Sequence, residues 1–204
     1  MMRSRFLPIA GAVLVLALIS GLAYALRWPP FRAGGKVEAA DVCTSLGDAS
    51  RAAAALNVIL PAAPSYAFDE GPTDLRSDTT DSSYETGCFV NGGGRQLLST
   101  RVELLEYGTP GTWQRENVGQ FAAASSLRAF DAGDRAIASD GVAAIYVPCT
   151  ARGANRHLSV IVQLKRKGDV DRSALRRGLI ALAKNAAAYA HGKARCELPG
   201  RLGG

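Results

Sequence analysis

The side chains of this 204-residue chain that could act as nucleophiles, bases or metal ligands are few: two histidines, four cysteines and scattered carboxylates. Nucleophilic catalysis needs a Ser or Cys beside an imidazole that a third group orients. His157 falls at the start of a predicted strand and His191 at the end of the last predicted helix, so both are expected to face solvent. Cys43, Cys88, Cys149 and Cys196 are dozens of residues apart, whereas zinc sites usually bring ligands in close pairs. They read instead as two disulfides, which would leave no thiolate for chemistry. Three pairings are open. The sequential one, Cys43–Cys88 and Cys149–Cys196, is favoured because each bond would tie a helix end to a strand in its own half of the domain.

The remaining motifs point away from catalysis. Gly92-Gly93-Gly94 lacks the lysine and following helix of a phosphate-binding loop and reads as a hairpin turn. Asp74, Asp78 and Asp81 lack the spacing and glycine of a calcium loop and read as a solvated acidic loop. Glu103 and Glu106, three apart on a strand, would face opposite sides and cannot act as paired carboxylates. Dispersed carboxylates brought together in space remain the route to an alternative reading, an envelope hydrolase or transferase. The expectation is a non-enzymatic protein with no cofactor and no metal.

Charge carries the clearest functional signal. The formal net charge is +6, but Arg3, Arg5, Arg27, Arg32 and Lys36 flank an apolar segment, and the chain from Val37 onward has a net charge of only +1. That balance argues against nucleic acid as a partner, since such binding draws on many phosphate contacts. The domain is nevertheless polarised. Residues 37–90 hold nine acids, while residues 152–204 hold twelve bases and three acids. Lys165, Arg166, Lys167, Arg172, Arg176 and Arg177 gather around one strand end and one helix start. They are candidates for contact with a polyanion, either anionic lipid or an anionic wall polymer. Another envelope protein is a further possible partner.

The segment Phe6–Leu26 contains no charged residue. As a helix its 21 residues would reach roughly 31 Å, matching a bilayer core. It reads as a retained single-pass anchor, with a signal peptide cleaved after Ala25, at Ala23-Tyr24-Ala25, as the alternative. Flanking charge is nearly balanced, so orientation rests on the cysteines: disulfides persist outside the cytosol, which places the C-terminal domain on the extracytoplasmic side. The expected organisation is a cytoplasmic N-terminus (1–5), a transmembrane helix (6–26), a linker (27–40), a disulfide-bonded domain (41–198) and a flexible tail (199–204).

Periodicity supplies the elements that position these residues. Cys43 opens a helix-like run through Leu60, with Leu46, Ala49, Ala53, Leu56 and Leu60 near one face. A long polar loop follows to about Ser83. Tyr84–Val90 and Gln96–Tyr107 are strands around the glycine turn, and Thr112 is placed to cap a helix carrying Trp113, Val118 and Phe121. Ala136–Ser139 and Val142–Val147 flank Asp140-Gly141, a two-residue turn expected to need positive φ. Arg152-Gly153-Ala154-Asn155 leads to a strand over His157–Lys165. Asp171 caps a final helix with the stripe Leu175, Leu179, Leu182, Ala186 and Tyr189. The fold class is α+β: an antiparallel sheet covered by amphipathic helices, in the order α-β-β-α-β-β-β-α, preceded by one transmembrane helix.

This layout resembles the small extracytoplasmic domains of actinobacterial envelope proteins, namely the DUF3558-type lipoproteins and the sensor domain of PknH-type receptor kinases. The resemblance rests on Cys43 with Leu46, on Cys88 in the first predicted strand, on the Gly133-Asp134-x-Ala136 step before a hairpin, and on the closing amphipathic helix. Here an apolar anchor stands in place of a lipobox, and no kinase domain is attached. The resemblance implies a ligand-binding, sensor-like or accessory role and names no ligand.

Overall fold

The computed structural model describes residues 34–76, 81, 83–150 and 155–203. The segment Phe6–Leu26, the N-terminal residues 1–5, the first half of the 27–40 linker, Asp78, and Arg152 to Ala154 lie outside the described residues. Among the described residues no helix is long and apolar enough to cross a membrane. The chain from Lys36 onward forms one compact unit.

Its centre is a seven-stranded antiparallel sheet. The strands are β1 (Tyr66–Glu70), β2 (Glu85–Gly92), β3 (Arg95–Leu105), β4 (Arg128–Ala129), β5 (Arg135–Ala138), β6 (Val142–Thr150) and β7 (Arg156–Leu164). They lie in the order β1-β2-β3-β7-β6-β5-β4. Three helices accompany them: α1 (Ala49–Ile59), α2 (Pro110–Trp113, continued by a wider turn over Gln114–Val118) and α3 (Arg172–Lys193). The α+β class with an antiparallel sheet is therefore the observed one. The order differs by two strands, because β1 falls within the expected loop and β4 has only two residues. As an edge strand, β1 has one neighbour and stays largely exposed, so its alternation is weak in the sequence.

One face of the sheet is fully covered. Leu98, Val102, Ile145, Val147, Leu158, Val160 and Val162 meet Leu56 and Ile59 of α1 and Leu175, Leu179 and Leu182 of α3 in a single core. α3 begins as expected, with the Asp171 carboxylate accepting from the Ala174 N–H at 2.9 Å. α1 does not begin at Cys43. A short 3₁₀ turn (Thr44–Leu46) comes first, then Gly47 at φ +80°, and Asp48 caps the helix proper. The break has a packing cause: a Cβ on Gly47 would lie 2.6 Å from the Asn185 carbonyl. The Asn185 side chain in turn donates to the Leu46 and Asp48 carbonyls, tying the start of α1 to α3.

Other local expectations also shift. The cap of α2 is Thr109, whose hydroxyl accepts from the Thr112 N–H. The glycine turn reduces to Gly93-Gly94, both at positive φ between paired Gly92 and Arg95. At Asp140-Gly141 neither residue has positive φ. That turn is held by the Ser139 hydroxyl, which accepts from the Gly141 and Val142 N–H groups.

Both ends of the described domain make specific contacts. Val37 is buried and exchanges two 2.9 Å hydrogen bonds with the Asn57 side chain. Near the C-terminus, Arg201 accepts from the Gly133 N–H through its carbonyl and pairs with Asp134 at 3.1 Å, and Leu202 packs on the core. Two disulfides, Cys43–Cys88 and Cys149–Cys196, staple the N-terminal turn to β2 and the end of α3 to β6. Among the described residues no cysteine is free. Such bonds belong to a protein that meets an oxidising compartment.

Candidate functional site

The second face of the sheet is only half covered. Over β5, β6 and β7, the chain from Trp113 to Leu127 forms a smaller core with Ile137, Val142, Ala144 and Tyr146. The Trp113 indole N–H donates to Ser159 Oγ at 2.8 Å, latching this cover to β7. Over β2, β3 and the adjoining part of β7 no such cover is present among the described residues, and a groove of about 340 Å³ remains, within the range of ligand pockets (roughly 300–1,000 Å³).

Strand register sets the floor of this groove. Across β2, β3 and β7 three rows align: Glu85, Glu103 and Ser159; then Gly87, Arg101 and Ile161; then Phe89, Ser99 and Gln163. Side chains two apart on a strand share a face, so the polar residues alternate with Leu98, Val102 and Leu104 of the opposite core. Gly87 leaves the middle row empty on β2; a Cβ there would lie 2.5 Å from the Thr100 carbonyl. Asn117, Gln120 and Phe121, at the end of the cover, form one wall.

Arg101 joins the two carboxylates. Its guanidinium lies 2.7 Å from Glu103 and 3.4 Å from Glu85. Burial pushes the Glu103 carboxyl above its ordinary range despite the opposing pull of Arg101. The groove therefore combines half-buried Phe89 and exposed Phe121 with three amides and a charged triad. The sequence signal was the alternation Ser99-x-Arg101-x-Glu103; what it does not disclose is that β7 lies beside β3 and adds Gln163 and Ile161.

Five of the six cations singled out from the sequence line two hollows, with Lys167 shared, and Arg177 lines neither. Lys165, Arg166 and Lys167 leave the end of β7 and line one, with Arg95, Gly92, Gly93 and the Pro61–Pro64 segment. Lys167, Arg172 and Arg176 line the other, with Arg128, Ser126, Ser139, Ser173 and Asp140. Here Lys167 Nζ hydrogen-bonds Asp140 at 2.7 Å, holding that carboxyl below its usual range, and Arg172 lies 3.7 Å away. Arg176 donates to the Arg128 and Ala129 carbonyls, and Arg177 turns back to Ser173. Lys165 also borders the groove, where its ammonium reaches Gln163. Arg95 and Arg128, distant in sequence, were not foreseen.

Neither histidine faces solvent as expected. His157 is 2% exposed and stacked on Tyr146, and His191 is half-buried with Nε2 at 2.8 Å from the Leu198 carbonyl. Of the acidic trio, Asp74 forms a backbone bridge to Glu85, and Asp81 accepts from Ser83. Among the described residues no group of three or more His, Cys, Asp or Glu is placed to hold a metal ion. Glu106 pairs with Arg156, away from Glu103. Comparison with family models, with curated proteins and with solved structures yields no match.

Proposed function

We propose that this chain is a membrane-anchored, extracytoplasmic binding protein of the cell envelope, whose domain takes its ligand in the groove over β2, β3 and β7. The observation that carries this reading is the half-covered sheet face, where aromatic, amide and charged side chains converge on one concavity. Phe89 and Phe121 offer apolar ring faces, and Asn117, Gln120, Gln163, Arg101 and Glu103 offer planar hydrogen-bonding groups. That combination suits a saccharide, whose ring has an apolar face and a rim of hydroxyls. The disulfides support a position outside the cytosol, and the uncharged Phe6–Leu26 segment supports a tether. The resemblance to envelope sensor domains points the same way.

The test is a panel of neutral and acidic oligosaccharides, scored by chemical-shift changes on the isotope-labelled protein in detergent. Shifts confined to residues 85–89, 99–103, 117–121 and 161–163, weakened by Phe89→Ala, are the expected result. Absence of any shift across the panel at millimolar concentration overturns the saccharide assignment.

One observation favours a second reading, an envelope hydrolase or transferase: Glu85 and Glu103 sit opposite each other on adjacent strands, and burial raises the Glu103 carboxyl. Arg101 bridges both, which suits ligand orientation better than proton donation. Turnover of any panel member that is lost in Glu103→Gln would establish the enzymatic reading instead.

A further inference from the structure

We propose that the end of the domain built from the C-terminus of α1, the β2–β3 turn and the β7–α3 connection docks on an anionic bilayer. Arg95, Lys165, Arg166 and Lys167 line a hollow floored by Pro61–Pro64, and among the described residues no acidic one lines it. All four are exposed. Two exposed hydrophobic residues lie close in sequence to its lining, Val58 three residues before Pro61 and Val170 three after Lys167. Cations beside apolar side chains suit the headgroup region, where charge meets phosphate and aliphatic groups meet the acyl boundary.

The chain enters the domain at this same end. Val37 is clamped by Asn57, in the last turn of α1, and the Gly168 N–H donates to the Ile59 carbonyl at 2.8 Å. The close of α1 thus holds both the entering chain and the cationic run. Only ten residues, 27–36, separate Leu26 from Val37, a reach of at most about 35 Å. The docking rests on the anchor reading for its tether. The opposing charges are Asp140, already engaged by Lys167, and the exposed Asp169 and Asp171, the latter capping α3. Arg177 acts on Asp171, and Arg172 lies 3.7 Å from Asp140.

The test places the full chain in vesicles of phosphatidylcholine alone or with one-quarter phosphatidylglycerol, and reads amide hydrogen exchange. Each cation near an anionic surface contributes roughly fivefold. Exchange over residues 92–95 and 165–170 should slow at least about fivefold with the anionic lipid. High salt should reverse it, as should the combined substitution Arg95→Gln, Lys165→Gln, Arg166→Gln and Lys167→Gln. Unchanged exchange in β6 and β7 verifies that this variant is folded. Equal exchange in both vesicle types overturns the docking, as does equal protection by soluble polyphosphate, which would assign the hollow to a soluble polyanion. Resistance to alkaline extraction from the neutral vesicles reads the anchor separately, so either idea can fail alone.

Discussion

The imidazole of His157 lies flat against the phenol of Tyr146, with ring centroids 3.9 Å apart and planes 15° from parallel, and among the described residues neither of its nitrogens has a hydrogen-bond partner. Burial therefore depresses its pKa to about 4, because a charged imidazolium there would lose its water without gaining an acceptor. Above the ordinary histidine pKa of about 6.5 both folded and unfolded chains are neutral at this site and the fold keeps its full stability. As pH falls from there toward 4, the unfolded chain binds the proton first, so stability declines by roughly 3 kcal/mol across that window. Denaturant unfolding at neutral pH and near pH 4.5 should show the decline, and His157→Phe should flatten it. An identical slope in the variant would remove His157 as its cause.

Two glycines of α3 should respond to alanine in opposite directions. In an exposed helix Gly→Ala stabilises by about 1 kcal/mol. A methyl group on Gly192 would meet nothing within 4 Å, so Gly192→Ala should gain up to that amount. Gly178 faces α1, where a Cβ would lie 2.3 Å from Ile59 Cγ2, so Gly178→Ala should cost about 1–3 kcal/mol through overpacking. Urea midpoints of the two variants measure both signs.

The disulfides close segments of 45 and 47 residues. In the chain-entropy account each contributes about 4 kcal/mol by restricting the unfolded chain. The double substitution Cys149→Ser with Cys196→Ser should lower unfolding stability by that order while leaving Cys43–Cys88 intact, as read by denaturation and peptide mapping without reductant. A variant as stable as the parent would show that the bond only decorates an already closed end.

Trp113 latches the half-cover of the second face. Trp113→Ala removes a buried indole and leaves Ser159 without its donor, for a cost of about 3–5 kcal/mol. Because this cover walls the groove, the variant should also speed hydrogen exchange over residues 114–121 well beyond that in α1. Uniform acceleration across the domain would show that the cover has no separate stability.

Periodicity and turn chemistry made much of this architecture readable. The stripe from Leu175 to Ala186, the Asp171 cap and the β2–β3 hairpin follow from residue spacing alone. β1 escaped because Tyr66-Ala-Phe-Asp-Glu is a short, exposed edge strand whose paired residues are eighteen or more positions away. The burial of His157 does not follow from the sequence, which gives the phase of a strand and not what covers each face; Tyr146 stacks on its ring. The groove was hidden for a related reason: β7 returns to lie beside β3, and that adjacency joins Ser99, Arg101 and Glu103 to Ile161 and Gln163. The cationic run was legible as a cluster, but its division at Lys167 depends on Asp140 and Arg95 arriving from separate hairpins.

The most direct test of the binding account is mapping by isotope-edited NMR during oligosaccharide titration, with Arg101→Ala as the paired variant. The account predicts saturable shifts of Phe89, Glu103, Phe121 and Gln163 resonances, with affinity lowered about tenfold in the variant by loss of a charge-assisted hydrogen bond. Saturable shifts centred elsewhere on the domain, or affinity unchanged when Arg101 is removed, would contradict it.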